Sequence, residues 1–288
     1  MKLEHGKKIL SLEEPQVMGI INVTPDSFSD GGQFNQIEKA LSHARSMLKH
    51  GAKVIDIGGE STRPGAKEVG VDEEIKRVLP LVKELRRISS VWISVDTSKP
   101  EVMQSAIEAG ANMINDVRAL QKPGALSVIA SAGVPVCIVP PVPPKTRHLE
   151  PGHTLKFIQS LKIAAQKSIE ECLQGGISRS KIVLDPGFGF GKTLKQNYEL
   201  LANLATFKGY GLPLLTGLSR KGMLNKPLGR KPEKCVTPSV VGAVLCAERG
   251  ANILRVHDVV ETIDSIKLFS MMKQQKTFSL GKVDINDA

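Results

Sequence analysis

Aromatic side chains are scarce in this chain: 4% of its 288 residues, with one Trp and two Tyr. Proteins that hold single-stranded nucleic acid stack bases on aromatic rings, so that class loses its main support. Cysteine is nearly as sparse. Cys137, Cys172, Cys235 and Cys246 form no C-x-x-C pair, and no Cys/His spacing resembles a zinc site. Long apolar runs are missing too. Charges, Gly or Pro interrupt every stretch before the ~20 residues a membrane helix needs, so no membrane segment is expected. The opening MKLEHGKKILSLEEP is basic but lacks the apolar core of a secretory signal, and the expectation is a cytoplasmic protein with reduced thiols.

What is present describes a folded chain. Hydrophobic residues make up 41% and charged residues 24%. Lys and Arg number 39 against 29 Asp and Glu, a formal charge of +10. Such an excess suits an anionic ligand, a membrane surface or nucleic acid. The basic residues do not gather into one block, so most of them read as a solvated surface.

Short apolar runs alternate with amphipathic segments along the chain. Strands are expected at Val17–Asn22, Val54–Gly59, Val91–Thr97, Met113–Val117, Val134–Val139, Lys181–Asp185, Pro213–Ser219 and Ile253–Asp258. Nearly continuous apolar runs of this length fit strands buried on both faces of a parallel sheet. Helices are expected at Ile37–His50, Asp72–Arg87, Pro100–Ala109, Gly124–Ala132, Thr154–Gln174, Leu194–Leu204, Ser239–Arg249 and Val259–Met272. Glycines in KHGAK, EAGAN, SAGVP, QGGIS and ERGAN end helices just before strands, and Ser98-Lys99-Pro100 offers a cap and a Pro at a helix start. Eight β-α units with no long break favour one α/β domain, a (β/α)8 TIM barrel of about 250 residues, over the alternative of an open doubly wound sheet. The barrel would span 17–273, with an N-terminal extension at 1–16 and a tail at 274–288.

In such a barrel the functional site lies where the strands end. The ends here carry Asn22 to Asp30, Asp56 to Arg63, Asp96-Thr97, Asn115-Asp116, Asp185 to Lys192, Ser219-Arg220-Lys221 and Arg255-Val-His257-Asp258. Taken singly, Asp26, Asp30, Asp116 and Asp258 read as caps or turn residues, and His257 as a structural histidine. Seven strands ending this way favour a shared site over independent structural causes. Arg63, Arg220, Lys221, Arg255 and His257 supply cationic donors for an anionic group. Asp96, Asn115 and Asp185 supply acceptors and an amide suited to a flat, donor-rich heterocycle. Pro186-Gly-Phe-Gly-Phe-Gly-Lys192-Thr193 imitates a phosphate-binding Walker loop, but Pro186 stands where that pattern needs Gly.

These segments resemble the dihydropteroate synthase family of folate biosynthesis, from about Met18 to the last helix. The carriers are Gly19–Gly32, Asp56–Gly65, Ser94–Pro100, Ile114–Asp116, Leu184–Lys192, Ser219–Lys221 and Arg255–Asp258. The resemblance implies a barrel that joins 4-aminobenzoate to 6-hydroxymethyl-dihydropterin pyrophosphate, releasing pyrophosphate. It implies Mg²⁺, a homodimer and sensitivity to sulfonamides, with neither a nucleic-acid nor a membrane partner. Carried across, Asp96, Asn115, Asp185, Lys221 and Arg255 would hold the pterin. Asn22, Thr62, Arg63, Arg255 and His257 would meet the pyrophosphate, with Asn22 the metal ligand. Thr62, Pro64, Ser219, Arg220 and Lys221 would border the aminobenzoate, with the Thr62–Gly65 segment closing over both substrates. Asp96, Lys221, Arg255 and His257 would carry the chemistry.

The pattern is not complete. The family's His-containing motif after strand five is replaced by Val139-Pro-Pro-Val-Pro-Pro144. An Arg common before Ser239 is absent, and Gly222 stands where Ser is common. Three other readings follow: an impaired pterin-binding paralogue, a barrel passing methyl groups from methyl-tetrahydrofolate to a corrinoid, and a basic nucleic-acid binder.

Overall fold

Strands that are apolar on both faces need helices outside and side chains inside, and a closed barrel provides both. The computed structural model describes residues 1–23, 33–61, 67–143 and 154–276. Eight parallel strands run in the order β3 (Gln16–Asn22), β4 (Val54–Gly58), β5 (Trp92–Asp96), β6 (Met113–Asp116), β7 (Val136–Ile138), β8 (Ile182–Leu184), β9 (Leu215–Thr216) and β10 (Ile253–Val256). β10 pairs with both β3 and β9, and a Leu184–Leu214 bridge closes the ring. Helices α1 (Gln33–Lys49), α2 (Val71–Ile88), α3 (Pro100–Glu108), α4 (Ala125–Ala132), α5 (Thr154–Gln174), α6 (Leu194–Ala202), α8 (Val236–Glu248) and α9 (Val259–Lys276) follow the strands. The expected TIM barrel is the observed fold.

Several strands are shorter than the sequence expectation, and two differences matter most. Ahead of the barrel, β1 (Lys2–His5) and β2 (Lys8–Ser11) form an antiparallel hairpin around Gly6. β9 is only two residues long instead of seven, because the chain turns at once: Lys221 N–H bonds to the Leu218 carbonyl, and a short helix α7 (Gly222–Asn225) follows.

The alternation of strand side chains divides the interior into two layers. Met18, Val54, Trp92, Met113, Cys137, Val183, Leu215 and Ile253 form an apolar floor, and Leu3, Leu10 and Leu12 of the N-terminal segment pack beneath it. Two residues further along β4, β5, β6 and β10 stand Asp56, Ser94, Asn115 and Arg255. A larger cluster between strands and helices supplies the main core, including Ile55, Ile93, Leu81, Leu85, Phe157 and Phe207. All four cysteines are buried and unpaired with one another.

Candidate active site

The polar upper layer of the barrel is held together by Arg255. From β10 it donates through Nε to Asp56 Oδ2 (2.6 Å) and through Nη2 to Asp96 Oδ2 (2.7 Å). Asn115 Nδ2 lies 3.5 Å from Asp56 Oδ2, and Asp96 and Asn115 are register partners on β5 and β6. Burial opposes a charge on Arg255, but Asp56 and Asp96 raise its pKa and keep it protonated. Burial is likewise the main cause that raises Asp96 and Asp185, with Arg255 opposing it at Asp96 and Lys221 at Asp185. Asp56 Oδ1, Ser94 Oγ and Asn115 Oδ1 are buried without a partner among the described residues, so this layer retains hydrogen-bonding capacity.

On the opposite side of the mouth, Asp185 follows β8 and accepts the Gly187 N–H at 2.7 Å. Lys221, from the turn after β9, donates to the Phe188 carbonyl (2.5 Å) and stands 4.5 Å above the Phe190 ring. Burial lowers Lys221 to about 8, against the pull of Asp185. The imidazole Nδ1 of His257 lies 3.0 Å from Ser219 Oγ, which also accepts the His257 N–H at 3.2 Å.

Asp96, Asn115, Asp185, Lys221 and Arg255 are thus gathered at one end of the barrel. Asn22 ends β3 beside Gly58, with its Oδ1 3.4 Å from where a Cβ on that glycine would stand. Arg220, like Arg255, is already paired with acid. Its residue has φ +59°, its N–H bonds to Ser239 Oγ, and its guanidinium is tied to Asp258 (2.5 and 3.3 Å). Thr62, Arg63 and Pro64 lie outside the described residues, as do Asp26 and Asp30.

Some expected caps do other work. Ser98 does not cap α3, whose N-cap is Lys99; its hydroxyl donates to Asp116 instead. Asp116 also accepts the N–H groups of Arg118 (2.9 Å) and Leu120 (2.7 Å), which holds the turn where Ala119 and Leu120 have positive φ. Asp116 is therefore a turn residue, as its lone reading implied.

Sequence reasoning did not select Asp56, although an acid inside the apolar run Val54-Ile-Asp-Ile57 is an anomaly that asks for a buried partner. It also missed a cluster beside the mouth. Lys99 donates to Glu60 and to Glu74 (2.5 Å), and Arg77 of α2 donates to the Gly59 carbonyl at 3.0 Å. The signal was Glu74 on the buried stripe of α2, with Val78, Leu81, Val82 and Leu85. Grooves of about 540 and 350 Å³ open on the flank of the rim, sharing Lys122 and Pro123. None of Asp96, Asn115, Asp185, Lys221 and Arg255 lines either groove; converging buried charge marks the site. Among the described residues no group of three or more His, Cys, Asp or Glu could hold a metal, and no helix is long and apolar enough to cross a membrane.

Comparison with known proteins gives a consistent picture. The model of the pterin binding enzyme family matches residues 18–257. Dihydropteroate synthase of Escherichia coli (strain K12) is 48% identical over 269 residues, 93% of this chain and 95% of that protein. A Yersinia pestis dihydropteroate synthase solved with a sulfonamide drug superposes with a TM-score of 0.87 at 47% identity, covering 95% of this chain and 100% of that one. A Xanthomonas albilineans dihydropteroate synthase with 4-aminobenzoic acid gives a TM-score of 0.87 at 43% identity, covering 94% of this chain and 98% of that one.

Proposed function

Because this chain belongs to the pterin binding enzymes, among the dihydropteroate synthases, we propose that its barrel mouth joins 4-aminobenzoate to 6-hydroxymethyl-7,8-dihydropterin pyrophosphate. The products are 7,8-dihydropteroate and pyrophosphate, and the activity is a transferase of folate biosynthesis. One observation carries the assignment to this site: Asp96, Asn115 and Asp185 surround Arg255 and Lys221 in a buried layer with unused acceptor atoms.

The pterin site draws on both sides of the mouth. Asp96, Asn115 and Asp185 match the donor edge of an aminopyrimidinone, and a carboxylate takes two parallel N–H bonds better than a neutral acceptor. Lys221 and Arg255 complete the pterin site. The bond from the pterin methylene to the pyrophosphate oxygen breaks, and its electron pair leaves with pyrophosphate. Arg255 and His257, with Arg63, stabilise that growing charge more than they stabilise the ground state. The methylene cation left behind is delocalised into the ring, where the Asp96 carboxylate favours it. The aryl amine then attacks and loses a proton to solvent or to pyrophosphate. It is unprotonated at neutral pH, so no strong base is required. Thr62, Pro64, Ser219 and Lys221 border the aminobenzoate. Arg220 belongs to this border by backbone position, while its guanidinium stays on Asp258.

Asn22 fits a Mg²⁺ role by donor chemistry, since its amide offers one hard oxygen at the mouth. Mg²⁺ characteristically takes most of its ligands from phosphate oxygens and water, so a single protein ligand suffices. Bound there, it would neutralise charge on the leaving pyrophosphate.

The protein is also proposed to work as a cytoplasmic homodimer. Support for the dimer comes from apolar side chains exposed on α8 and α9: Val241, Val260, Leu268, Met271 and Met272. Ile266 of α9 faces inward instead, a core residue at 6% exposure.

The deciding measurement is pyrophosphate release from both substrates together, with and without Mg²⁺. Release that requires 4-aminobenzoate supports the reading. Its absence under both conditions sinks the reading and leaves a pterin-binding paralogue.

A further inference from the structure

The loop between β8 and α6 is built from left-handed glycines. Gly187, Gly189 and Gly191 have φ of 80°, 82° and 61°, values that a residue with a Cβ adopts only under strain. The geometry turns backbone carbonyls toward two lysines. Lys192 Nζ donates to the Gly187 carbonyl (2.6 Å) and lies 3.4 Å from that of Phe190, while Lys221 takes the Phe188 carbonyl between them. A phosphate-binding loop presents N–H groups to an anion. This segment, for all its likeness to a Walker loop, presents oxygens to ammonium groups.

The loop is also tied down from behind. Asn197 of α6 accepts the Gly189 N–H at 2.7 Å and donates to the Thr193 carbonyl at 2.7 Å. Packing is close throughout: a Cβ on Gly187 would stand 3.2 Å from Lys192 Nζ, and one on Gly189 would stand 3.1 Å from Lys221 Cδ.

We propose that Lys192 is a positioning residue for the synthase reaction. By pinning the carbonyls of Gly187 and Phe190, it fixes the turn that receives Lys221 and carries the Phe190 ring beneath it. This inference rests on the synthase reading, in which Lys221 touches both substrates. A carbonyl is a poor place to leave an ammonium unless the backbone is rigid, and Lys192 supplies that rigidity from within the loop.

The surroundings decide which form of Lys192 does this. Among the described residues, Lys192 faces Asp185 from the end of β8 and Lys221 from the turn after β9, while the segment after β7 contributes apolar Val139 and α6 the uncharged Asn197. Arg255 and Asp96 act on Lys221 from β10 and β5. Burial lowers Lys192 to about 7, opposed by Asp185 and helped by Lys221. Lys192 therefore gives up its proton before Lys221 does, and where Lys221 titrates it holds the loop mainly as a neutral amine donor.

The test compares Lys192→Met, Lys192→Gln and Lys192→Arg with the wild-type enzyme for kcat, both KM values, the basic limb of the pH profile and the thermal midpoint. Lys192→Met should lower kcat by roughly 10- to 100-fold. Its KM for the pterin pyrophosphate should change less, and its basic limb should stay near the wild-type position, because Lys192 is already mostly neutral where Lys221 titrates. Lys192→Arg, which keeps the donors, should recover most of the turnover. Where Lys192→Met does not fold, Lys192→Gln decides by the same split of kcat from KM. A variant with a lower thermal midpoint but unchanged kcat overturns the proposal, as does full turnover by Lys192→Met. Silence of the wild-type enzyme itself overturns the synthase reading and this proposal together.

Discussion

Lys221 is held where its proton is loose, and that has opposite consequences for activity and for stability. Its pKa falls from 10.5 to about 8, with burial the largest cause. The ammonium form is therefore lost in the folded enzyme as pH rises through about 8, and kcat/KM should decline over that range. Between about 8 and 10.5 the unfolded chain binds more protons than the folded one, so the contribution of Lys221 to stability rises with pH. A pH–rate profile set beside urea unfolding at the same pH values checks the divergence, and Lys221→Met should abolish it. Asp185→Asn keeps the shape of the side chain but gives up a charge facing Lys221. It should cut turnover by about 100-fold or more while the far-ultraviolet spectrum is unchanged, and near-normal turnover would remove Asp185 from the site. Most of these residues were legible because each ends an apolar run. Asp56 was not, since its partner Arg255 stands 199 positions away and meets it only when the ring closes. Arg220 was legible as a cation, but its capture by Asp258 depends on how the β9 turn meets α9.

The strands and helices were largely visible as alternating periods, and the differences lie where tertiary contact decides. The hairpin of β1 and β2 has only four residues per strand, too few to show a period. Its leucines matter because the barrel floor gives them something to cover. Leu3→Ala should cost roughly 2–4 kcal/mol by urea unfolding, with both KM values unchanged, because the floor is remote from the mouth. Near α2 the contacts are ionic. Glu74 is fully buried and Lys99 nearly so, and Lys99 also reaches Glu60 just before the segment that carries Thr62. Lys99→Met leaves a buried carboxylate without its cation and should destabilise by about 3–5 kcal/mol. Lys99→Met together with Glu74→Leu should recover part of that loss, and no recovery would argue against direct pairing. The apolar stripe of α2 was readable, but the acid on it made sense only once α2 packed against Gly59, where a Cβ would come within 2.7 Å of Val78.

For the whole molecule, the 39 Lys and Arg residues separate into cations matched by acids, as at Arg220, Lys99 and Arg255, and a solvated set that carries the net charge of +10. Oligomeric state is the prediction at this scale. Sedimentation should give twice the mass of the 31.1 kDa chain, and Val241→Asp, on the exposed face of α8, should shift the population toward monomer. A monomeric wild type at micromolar concentration would remove the dimer from the reading. The hairpin beneath the floor has a consequence for kinetics. It makes the barrel a well with a single opening, so two substrates that share it cannot come and go independently. In the proposed reaction the pterin, seated against Asp96, Asn115 and Asp185, would lie below the aminobenzoate, and whatever reached the bottom first would leave last. Exchange of labelled pterin should therefore slow as the concentration of a non-reacting aminobenzoate analogue rises, and it should stop when the mouth is full.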